Sequence, residues 1–385
     1  MCPSGEAILA CVALAWAGCD GQRALKVAFR DAGATLPTDP ATGGTAAGPC
    51  PPGQSPRVKR LDTPIKLDLL FLIDDSPSMQ EEQANLARNF PRLIDELEKL
   101  PAGFPDLHLG VVSSTMGAGT WQTEGACGRS QSKGGALQVQ EGCGLDVQNG
   151  HFLIAPADGS PNNFQGDISE AFACLAKLGT RGCGYEHQLQ SVRMALSGFV
   201  SGNAGFLRSD AHLAVVYITD EDDCSAPADS PMFETRVKGQ DGSLRCPLAG
   251  HQCSGAPVPA EVFSTPLGNC SAAVNGGGKL LPVQTFVDEM RLLRTLSVSV
   301  SVIGGWPSDP ASANYVLEYD ATVDGSLGSM PICDSANGAA AVGLRFKQLV
   351  DAFGPTGKII SICQDDFSEA MVQIGELINT TVVCE

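Results

Sequence analysis

The chain has 385 residues, of which 43% are hydrophobic, so it is long enough for one large domain with insertions or for two domains. Lys and Arg number 25 against 43 Asp and Glu, which gives a net charge of −18. Such a surface repels nucleic acid and anionic lipid headgroups and attracts cations or basic partners, and no basic run in the sequence argues otherwise.

The N-terminal segment is typical of an export signal. Residues 7–17, AILACVALAWA, form an apolar run that is too short to span a bilayer. Gly18 and Cys19 follow it, and small residues before a cysteine resemble a bacterial lipobox, although Trp16 stands where Leu is usual. An ordinary secretory signal is the alternative. We expect residues 1–18 to be a lipoprotein-type signal peptide, and the exported protein to be anchored in the cell envelope only by a lipid on Cys19.

Residues 19–60 separate this signal from the folded part of the chain. They are rich in Gly, Pro, Thr and Ala and show no sustained hydrophobic periodicity. Such a composition cannot bury a core, so we expect a flexible tether over 19–60 and one folded domain over 61–385.

The cysteine count predicts an oxidising compartment. Twelve of the 15 cysteines lie beyond the N-terminal segment, and an even set of that size predicts up to six disulfides. A zinc site is the rival interpretation, but the sequence has no C-x-x-C pair. The sequence does not show which cysteines pair with each other. Pairing between neighbours in the chain, Cys127 with Cys143 and Cys174 with Cys183, is a guess.

The stretch 67–74, LDLLFLID, is an almost continuous apolar run that ends in an acid. It predicts a strand buried on both faces, as in a parallel sheet. Asp74, Ser76 and Ser78 then follow in the pattern D-x-S-x-S, at the strand end where open α/β sheets bind ligands. Hard divalent cations prefer such oxygen ligands. Ser78 with Glu81 also fits a capping box, in which Ser78 would simply cap the next helix.

The remaining elements alternate. Apolar runs predict strands over 107–114, 211–219, 297–303 and 358–363. Helical spacing predicts helices over 80–100, 184–199, 283–296, 342–353 and 367–378. Pro91 is expected to kink or divide the first of these helices. The alternation predicts an α/β fold with a doubly wound, mostly parallel sheet flanked by helices, with cysteine-rich insertions at about 115–180 and 224–280.

The ends of two predicted strands resemble the metal-ion-dependent adhesion site of von Willebrand factor type A domains. Asp74, Ser76 and Ser78 match the first motif of that family in full. Asp220, which follows the strand at 211–219, matches the aspartate of the last motif, although Glu221 replaces the usual Gly. The resemblance implies a von Willebrand factor A fold, which is Rossmann-like, over residues 61–385.

The middle motif of that family begins with a threonine at the head of a helix. Glu186, in EHQLQSV, occupies the place of this threonine. Three segments also resemble cysteine-rich exported proteins of myxobacteria: GCGYEHQLQSVRMAL, NAGFLRSDAHLAVVYITDEDDCS and SICQDDFSEA. Glu186 would be either a metal ligand or an acid favoured by the dipole of the helix that it begins.

The resemblance implies a divalent cation, with Mg²⁺ first and Mn²⁺ or Ca²⁺ as alternatives. Its expected ligands are Asp74, Ser76, Ser78, Glu186 and Asp220. The candidates to support these ligands or to hold a second cation are Asp75, Asp222 and Asp223.

The expected function is binding. In the family, an acidic group of a partner fills an open position on the cation, whose charge inverts the local electrostatics of an acidic protein. We therefore expect an adhesion protein with an unidentified protein or glycan partner. Two alternatives remain: a metal-dependent hydrolase of the cell envelope with Glu186 as base, and a structural envelope protein with a vestigial metal site. No Ser, His and Asp in the sequence form a recognisable nucleophile arrangement, which favours a protein that is not an enzyme.

Overall fold

The computed structural model describes most of the chain from Pro56 onward, and a mainly parallel sheet forms its centre. The described residues are 56–60, 65–101, 103–118, 127–128, 131–233, 245–258, 267–293, 295–307, 319–321, 327–329, 331–335 and 338–384. The predicted signal peptide, the lipidation site Cys19 and the tether as far as residue 55 lie outside them. Within the described part, no helix has the length and apolar character needed to cross a membrane.

The strands range from two to eight residues. In chain order they are β1 (Pro56–Arg60), β2 (Lys66–Ile73), β3 (Asp106–Ser113), β4 (Leu153–Ala155), β5 (His212–Ile218), β6 (His251–Cys253), β7 (Ala256–Pro257), β8 (Cys270–Ala272), β9 (Ser297–Gly304), β10 (Tyr319–Ala321), β11 (Leu327–Ser329), β12 (Cys333–Ser335), β13 (Gly338–Ala340), β14 (Gly357–Ser361) and β15 (Thr380–Cys384).

The α-helices of the described residues follow the same chain order. They are α1 (Gln80–Glu98), α2 (Ile168–Leu175), α3 (Gln188–Ala195), α4 (Arg245–Gly250), α5 (Val283–Arg291), α6 (Leu344–Phe353) and α7 (Ser368–Ile378).

The central sheet has the strand order β14–β9–β5–β2–β3–β4. All neighbouring strands in it are parallel except β3 and β4, which pair antiparallel. The chain therefore winds outward from β2 in both directions, first through β3 and β4 and then through β5, β9 and β14. The strand order reverses between β2 and β5, and open α/β sheets bind ligands at the carboxyl ends of the strands at such a point.

Both faces of β2 are buried, which explains its nearly continuous apolar sequence. Leu69 and Phe71 belong to a core that includes side chains of α1, α2 and α7, and the Phe71 ring lies 4.7 Å from that of Phe172. Leu70 and Leu72 belong to a second core, with α3, α5 and α6, on the other face. The prediction of an α/β fold with a mainly parallel sheet flanked by helices is confirmed.

Five disulfides join ten cysteines of the described part. The pairs are Cys127–Cys183, Cys143–Cys174, Cys224–Cys246, Cys253–Cys270 and Cys333–Cys363. The guessed pairings of Cys127 with Cys143 and of Cys174 with Cys183 are wrong, because the first insertion folds back on itself and pairs its two ends. These disulfides indicate an oxidising compartment and leave these ten thiols unable to bind zinc.

Several predicted elements differ from the structure. Helix α1 continues through Pro91, which lies on its exposed face, so the proline does not divide the helix. Residues 56–60, predicted as the end of the tether, form β1 and pair with β15. The cysteine-rich insertions have elements of their own: the first contains β4 and α2, and the second contains α4 and the sheet of β6, β7 and β8.

Candidate functional site

Two acids follow the neighbouring strands β2 and β5 at the point where the strand order reverses. The Asp74 backbone N–H donates to the carbonyl of Ile218 at 3.0 Å, which joins the two strand ends. Asp74 is 0% exposed and Asp220 is 4% exposed. The structure thus brings together the first and last predicted motif residues at the carboxyl edge of the sheet.

Three hydrogen bonds fix the carboxylate of Asp74. Its Oδ1 accepts from the Ser76 N–H and the Ser114 hydroxyl, both at 2.9 Å, and its Oδ2 accepts from the Thr219 hydroxyl at 2.7 Å. Burial and then the charge of the nearby Asp220 raise the pKa of Asp74 to about 7, although the hydrogen bonds from Thr219 and Ser76 act in the opposite direction. Sequence reasoning missed Ser114 and Thr219, although both stand at the ends of predicted strands.

The two serines of the D-x-S-x-S pattern lie beside these acids. The Ser76 and Ser78 hydroxyl oxygens are 3.2 Å apart, and a hydrogen bond from Ser78 lowers the pKa of Asp220, which burial otherwise raises. Met79 is the N-cap of α1, and no side chain caps that helix. The interpretation of Ser78 as only a helix cap is therefore wrong.

Glu186 reaches the same site from another segment. It pairs with Thr115 by an isolated β-bridge and precedes the first residue of α3 by two positions, so it is not an acid of the first helical turn. Its side chain is 1% exposed, and its Oε2 has no hydrogen-bond partner. Burial raises the pKa of Glu186 well above its usual value, and the charges of Glu221, Asp74 and Asp220 raise it further.

Glu82 is a site residue that sequence reasoning missed. It is 1% exposed, and its Oε2 has no hydrogen-bond partner. Burial raises its pKa to about 7, and Asp220 and Asp74 add to the shift. The available signal is its place four residues before Leu86, where the apolar face of α1 would continue. An acid there also has an ordinary explanation, because the first turn of a helix favours negative charge.

The buried acids of this site form a cluster that no positively charged side chain neutralises in the described part of the chain. In the described part of the chain, no Lys or Arg forms an ion pair with any of its four acids, Asp74, Glu82, Glu186 and Asp220. Other buried acids have such a partner: Arg208 binds Asp68 at 2.7 Å, and Arg345 binds Asp223 at 2.8 Å. Buried charges are normally paired or coordinated to a metal.

The unpaired oxygens suit a hard cation. They are Oε2 of Glu82, Oε2 of Glu186 and Oδ1 of Asp220, and two serine hydroxyls lie beside them. Carboxylate and hydroxyl oxygens are the ligands that Mg²⁺ and Ca²⁺ prefer. Among the described residues, no three His, Cys, Asp or Glu side chains converge as a preformed metal centre. The carboxylates of Asp74, Glu186 and Asp220 would therefore have to move closer together to bind one cation.

Asp75 supports the site from behind. Its Oδ1 accepts hydrogen bonds from three hydroxyls at the end of β3, those of Ser113 at 2.8 Å, Ser114 at 3.2 Å and Thr115 at 2.9 Å. Gly182 lies against it so closely that a Cβ at this position would be 2.5 Å from Asp75 Oδ1. Asp75 therefore ties β2 to β3 and to the segment that leads to Glu186.

Asp222 and Asp223 hold helices in place. Asp222 Oδ2 accepts from His251 Nε2 at 2.7 Å and from the Arg345 N–H at 2.9 Å. Asp223 accepts from the Leu189 N–H at 2.9 Å and from the Arg345 guanidinium. All four of their oxygens accept from protein donors, so the two acids attach the starts of α3 and α6 to the end of β5.

We expect the metal-free protein to become less stable as the pH rises. The folded pKa of Asp74 is about 7 against an ordinary value of 3.8. The folded state therefore binds more protons than the unfolded state between these values, so this stabilisation is complete below about pH 4 and is lost as the pH rises through about 7. Urea unfolding in chelator should give a free energy lower by more than about 2 kcal/mol at about pH 8 than at about pH 5.

The variant Asp74→Asn isolates this effect, because its amide does not titrate. The pH dependence of its unfolding free energy should be clearly shallower than that of the wild type over the same range. An equal slope in the two proteins would show that Asp74 is not the titrating group.

Comparisons with known proteins do not identify a family. No protein-family model matches the chain, and no curated protein matches it. Among solved structures, it is similar to proximal thread matrix protein 1 from the mussel byssus, with a TM-score of 0.34 and 11% identity over 82% of this chain and 48% of that one. It is also similar to the human COPII-coat protein Sec24c, with a TM-score of 0.33 and 11% identity over 87% of this chain and 36% of that one.

A third similar structure is the pilus adhesin SpaC from Lactobacillus rhamnosus GG in its open conformation. Its TM-score is 0.33, with 9% identity over 85% of this chain and 32% of that one. This chain thus spans less than half the length of each of these proteins.

Proposed function

We propose that this chain is a binding protein that holds a divalent cation at the carboxyl ends of β2 and β5 and uses it to engage a partner, in the manner of von Willebrand factor type A domains. The observation that supports this most directly is the cluster of four buried carboxylates without a Lys or Arg partner in the described residues. It lies where the strand order reverses, the position that α/β sheets use for ligands.

Residues from three segments of the chain would bind the cation. Asp74, Ser76 and Ser78 would bind the cation from the turn after β2, and Asp220 from the end of β5. Glu186 would be the fifth ligand, in place of the threonine of the family pattern. Mg²⁺ is the first candidate, with Mn²⁺ and Ca²⁺ as alternatives, and a bound cation would offer open positions to an oxygen of the partner.

Cation binding can be tested with the variant Asp74→Ala. Calorimetric titration of chelator-treated wild type with Mg²⁺, Mn²⁺ and Ca²⁺ should give saturable binding and a higher melting temperature, since a ligand that binds only the folded state stabilises it. Asp74→Ala should abolish both. Asp74→Asn should also lose binding while keeping the shape of the side chain, which separates loss of the ligand charge from loss of folding.

Glu98→Ala is the matched control. Glu98 is an exposed acid at the far end of α1, so its removal changes the net charge equally but should leave binding unchanged. If Asp74→Ala binds cations as the wild type does, the proposal is wrong.

We further propose that the protein is exported and anchored to a membrane of the cell envelope by a lipid on Cys19. The five disulfides support export, because such bonds persist in oxidising compartments. Labelled palmitate fed to cells should appear in the wild-type protein and not in Cys19→Ala. Equal labelling of both proteins would exclude Cys19 as the site.

A further inference from the structure

A cleft of about 500 Å³ lies in the first insertion, at the outer edge of β4. Ile154 of β4 lines it and pairs with His108 near the start of β3, whereas the proposed cation site lies at the carboxyl ends of the strands. The cleft shares no residue with that site. Its volume is within the range in which proteins bind small molecules.

Backbone hydrogen bonds hold the two walls of the cleft together. The Asp146 N–H donates to the carbonyl of Asn163 at 2.8 Å, and the Gln165 N–H donates to the carbonyl of Gly144 at 3.1 Å. Gly144 directly follows Cys143, which a disulfide fixes to α2. The cleft is therefore already formed before a ligand arrives, which lowers the entropy lost on binding.

The side chain of Asn163 prevents a further strand from adding to β4. Its Oδ1 accepts from the Ile154 N–H at 2.7 Å, and its Nδ2 donates to the carbonyl of Phe152 at 2.8 Å. These are the outward-facing backbone groups that a neighbouring strand would otherwise bind. An extended peptide therefore cannot pair with β4 here, and side chains are left to recognise a ligand.

The polar groups that remain for a ligand are amides and one carboxylate. Asn162 and Gln165 are exposed, and their side-chain amides form no hydrogen bond with the described part of the chain. Asp146 Oδ1 accepts from the Gln148 N–H at 3.1 Å, and Oδ2 accepts from Asn149 Nδ2 at 2.7 Å. These bonds fix the direction of the carboxylate and leave each of its oxygens able to accept once more.

Such a lining is complementary to hydroxyl groups. An amide both donates and accepts hydrogen bonds, and so does a sugar hydroxyl. None of the nine described residues that line the cleft is Lys, Arg or His, so an anionic ligand would face Asp146 without a positive charge to attract it. Ile154, Pro161 and Phe164 add apolar surface for the faces of sugar rings. We propose that this cleft binds a neutral saccharide, independently of the cation.

The experiment titrates three neutral trisaccharides into the whole protein in the presence of chelator, and NMR saturation transfer reports binding. The probes are maltotriose, cellotriose and triacetylchitotriose, with trigalacturonic acid as the charged counterpart and tetraalanine as the peptide counterpart. At least one neutral trisaccharide should bind saturably and more tightly than both counterparts. Asn162→Ala and Gln165→Ala should each raise its dissociation constant about tenfold, because each removes hydrogen bonds to the sugar.

Gln284→Ala is the control, since it removes an exposed amide in the first turn of α5 and should leave binding unchanged. The proposal is overturned if none of the three trisaccharides binds, if neither alanine variant of the cleft weakens binding, or if a counterpart binds more tightly than every neutral trisaccharide. Because the titration is made in chelator, its outcome is separate from that of the cation-binding test of the proposed function.

Discussion

Replacement of Arg345 by Met is expected to lower the free energy of unfolding by about 3–5 kcal/mol, as measured by urea denaturation. The Arg345 side chain is fully buried, and its Nε and Nη2 donate to Asp223 Oδ2 at 3.1 and 2.8 Å. Methionine would fill most of the volume but would leave Asp223 as an uncompensated buried charge. The large cost comes from that charge rather than from the lost contact alone.

Lys347→Met is the matched control, since it lies two residues further along the same helix. Lys347 pairs with Asp351 in an exposed ion pair, so its loss should cost less than about 1 kcal/mol. The double variant Arg345→Met/Asp223→Asn should be more stable than the sum of the two single effects predicts, because no charge is left unpaired. If the losses of unfolding free energy in the two single variants add up to the loss in the double variant, this explanation of the Arg345–Asp223 pair is wrong.

Replacement of Cys127 and Cys183 together by Ala is expected to destabilise the protein by about 4 kcal/mol and also to weaken cation binding. The two cysteines are 56 positions apart, and a cross-link across so long a segment removes much entropy from the unfolded chain. The Cys183 N–H donates to the Thr115 hydroxyl, which itself donates to Asp75, and Thr115 pairs with Glu186. The disulfide thus holds the segment that delivers Glu186 to the site.

The double replacement of Cys143 and Cys174 separates these two effects. Their separation of 31 predicts a similar loss of stability, about 4 kcal/mol, but their disulfide joins two parts of the first insertion, one of which is α2. We therefore expect urea unfolding to show comparable destabilisation of both variants, and calorimetry to show weaker Mn²⁺ binding only in the first. Equal Mn²⁺ binding by both variants would show that the Cys127–Cys183 disulfide does not hold Glu186 in the site.

The main fold could be predicted because its strands are buried on both faces. The runs at 67–74 and 211–219 correspond to β2 and β5 within about a residue. An apolar run of that length, bounded by polar residues, is typical of a strand buried on both faces. The small strands of the insertions could not be predicted in this way. With two or three residues each, as in β6 and β7, they are too short to show a period, and a disulfide joins β6 to β8.

The site could be predicted only in part. Asp74 and Asp220 were accessible to sequence reasoning because each directly follows a buried strand. The role of Asp223 was not, because its partner Arg345 lies 122 positions away and nothing local indicates the contact. The role of Glu82 could not be predicted either, because an acid in the first turn of a helix is already explained by the helix dipole.

The pairing of β1 with β15 has a mechanical consequence. Pro56 lies opposite Cys384 and Arg60 opposite Thr380, so β1 enters the domain beside β15, and β2 is the next described strand in the chain. Asp74 is at the far end of β2. If the protein is held by residues before Pro56 and pulled by a partner at the proposed cation, β2 lies between the two points of load. Asp220 and Glu186 would hold the same cation, so β5 and the segment that follows the first insertion would share that load.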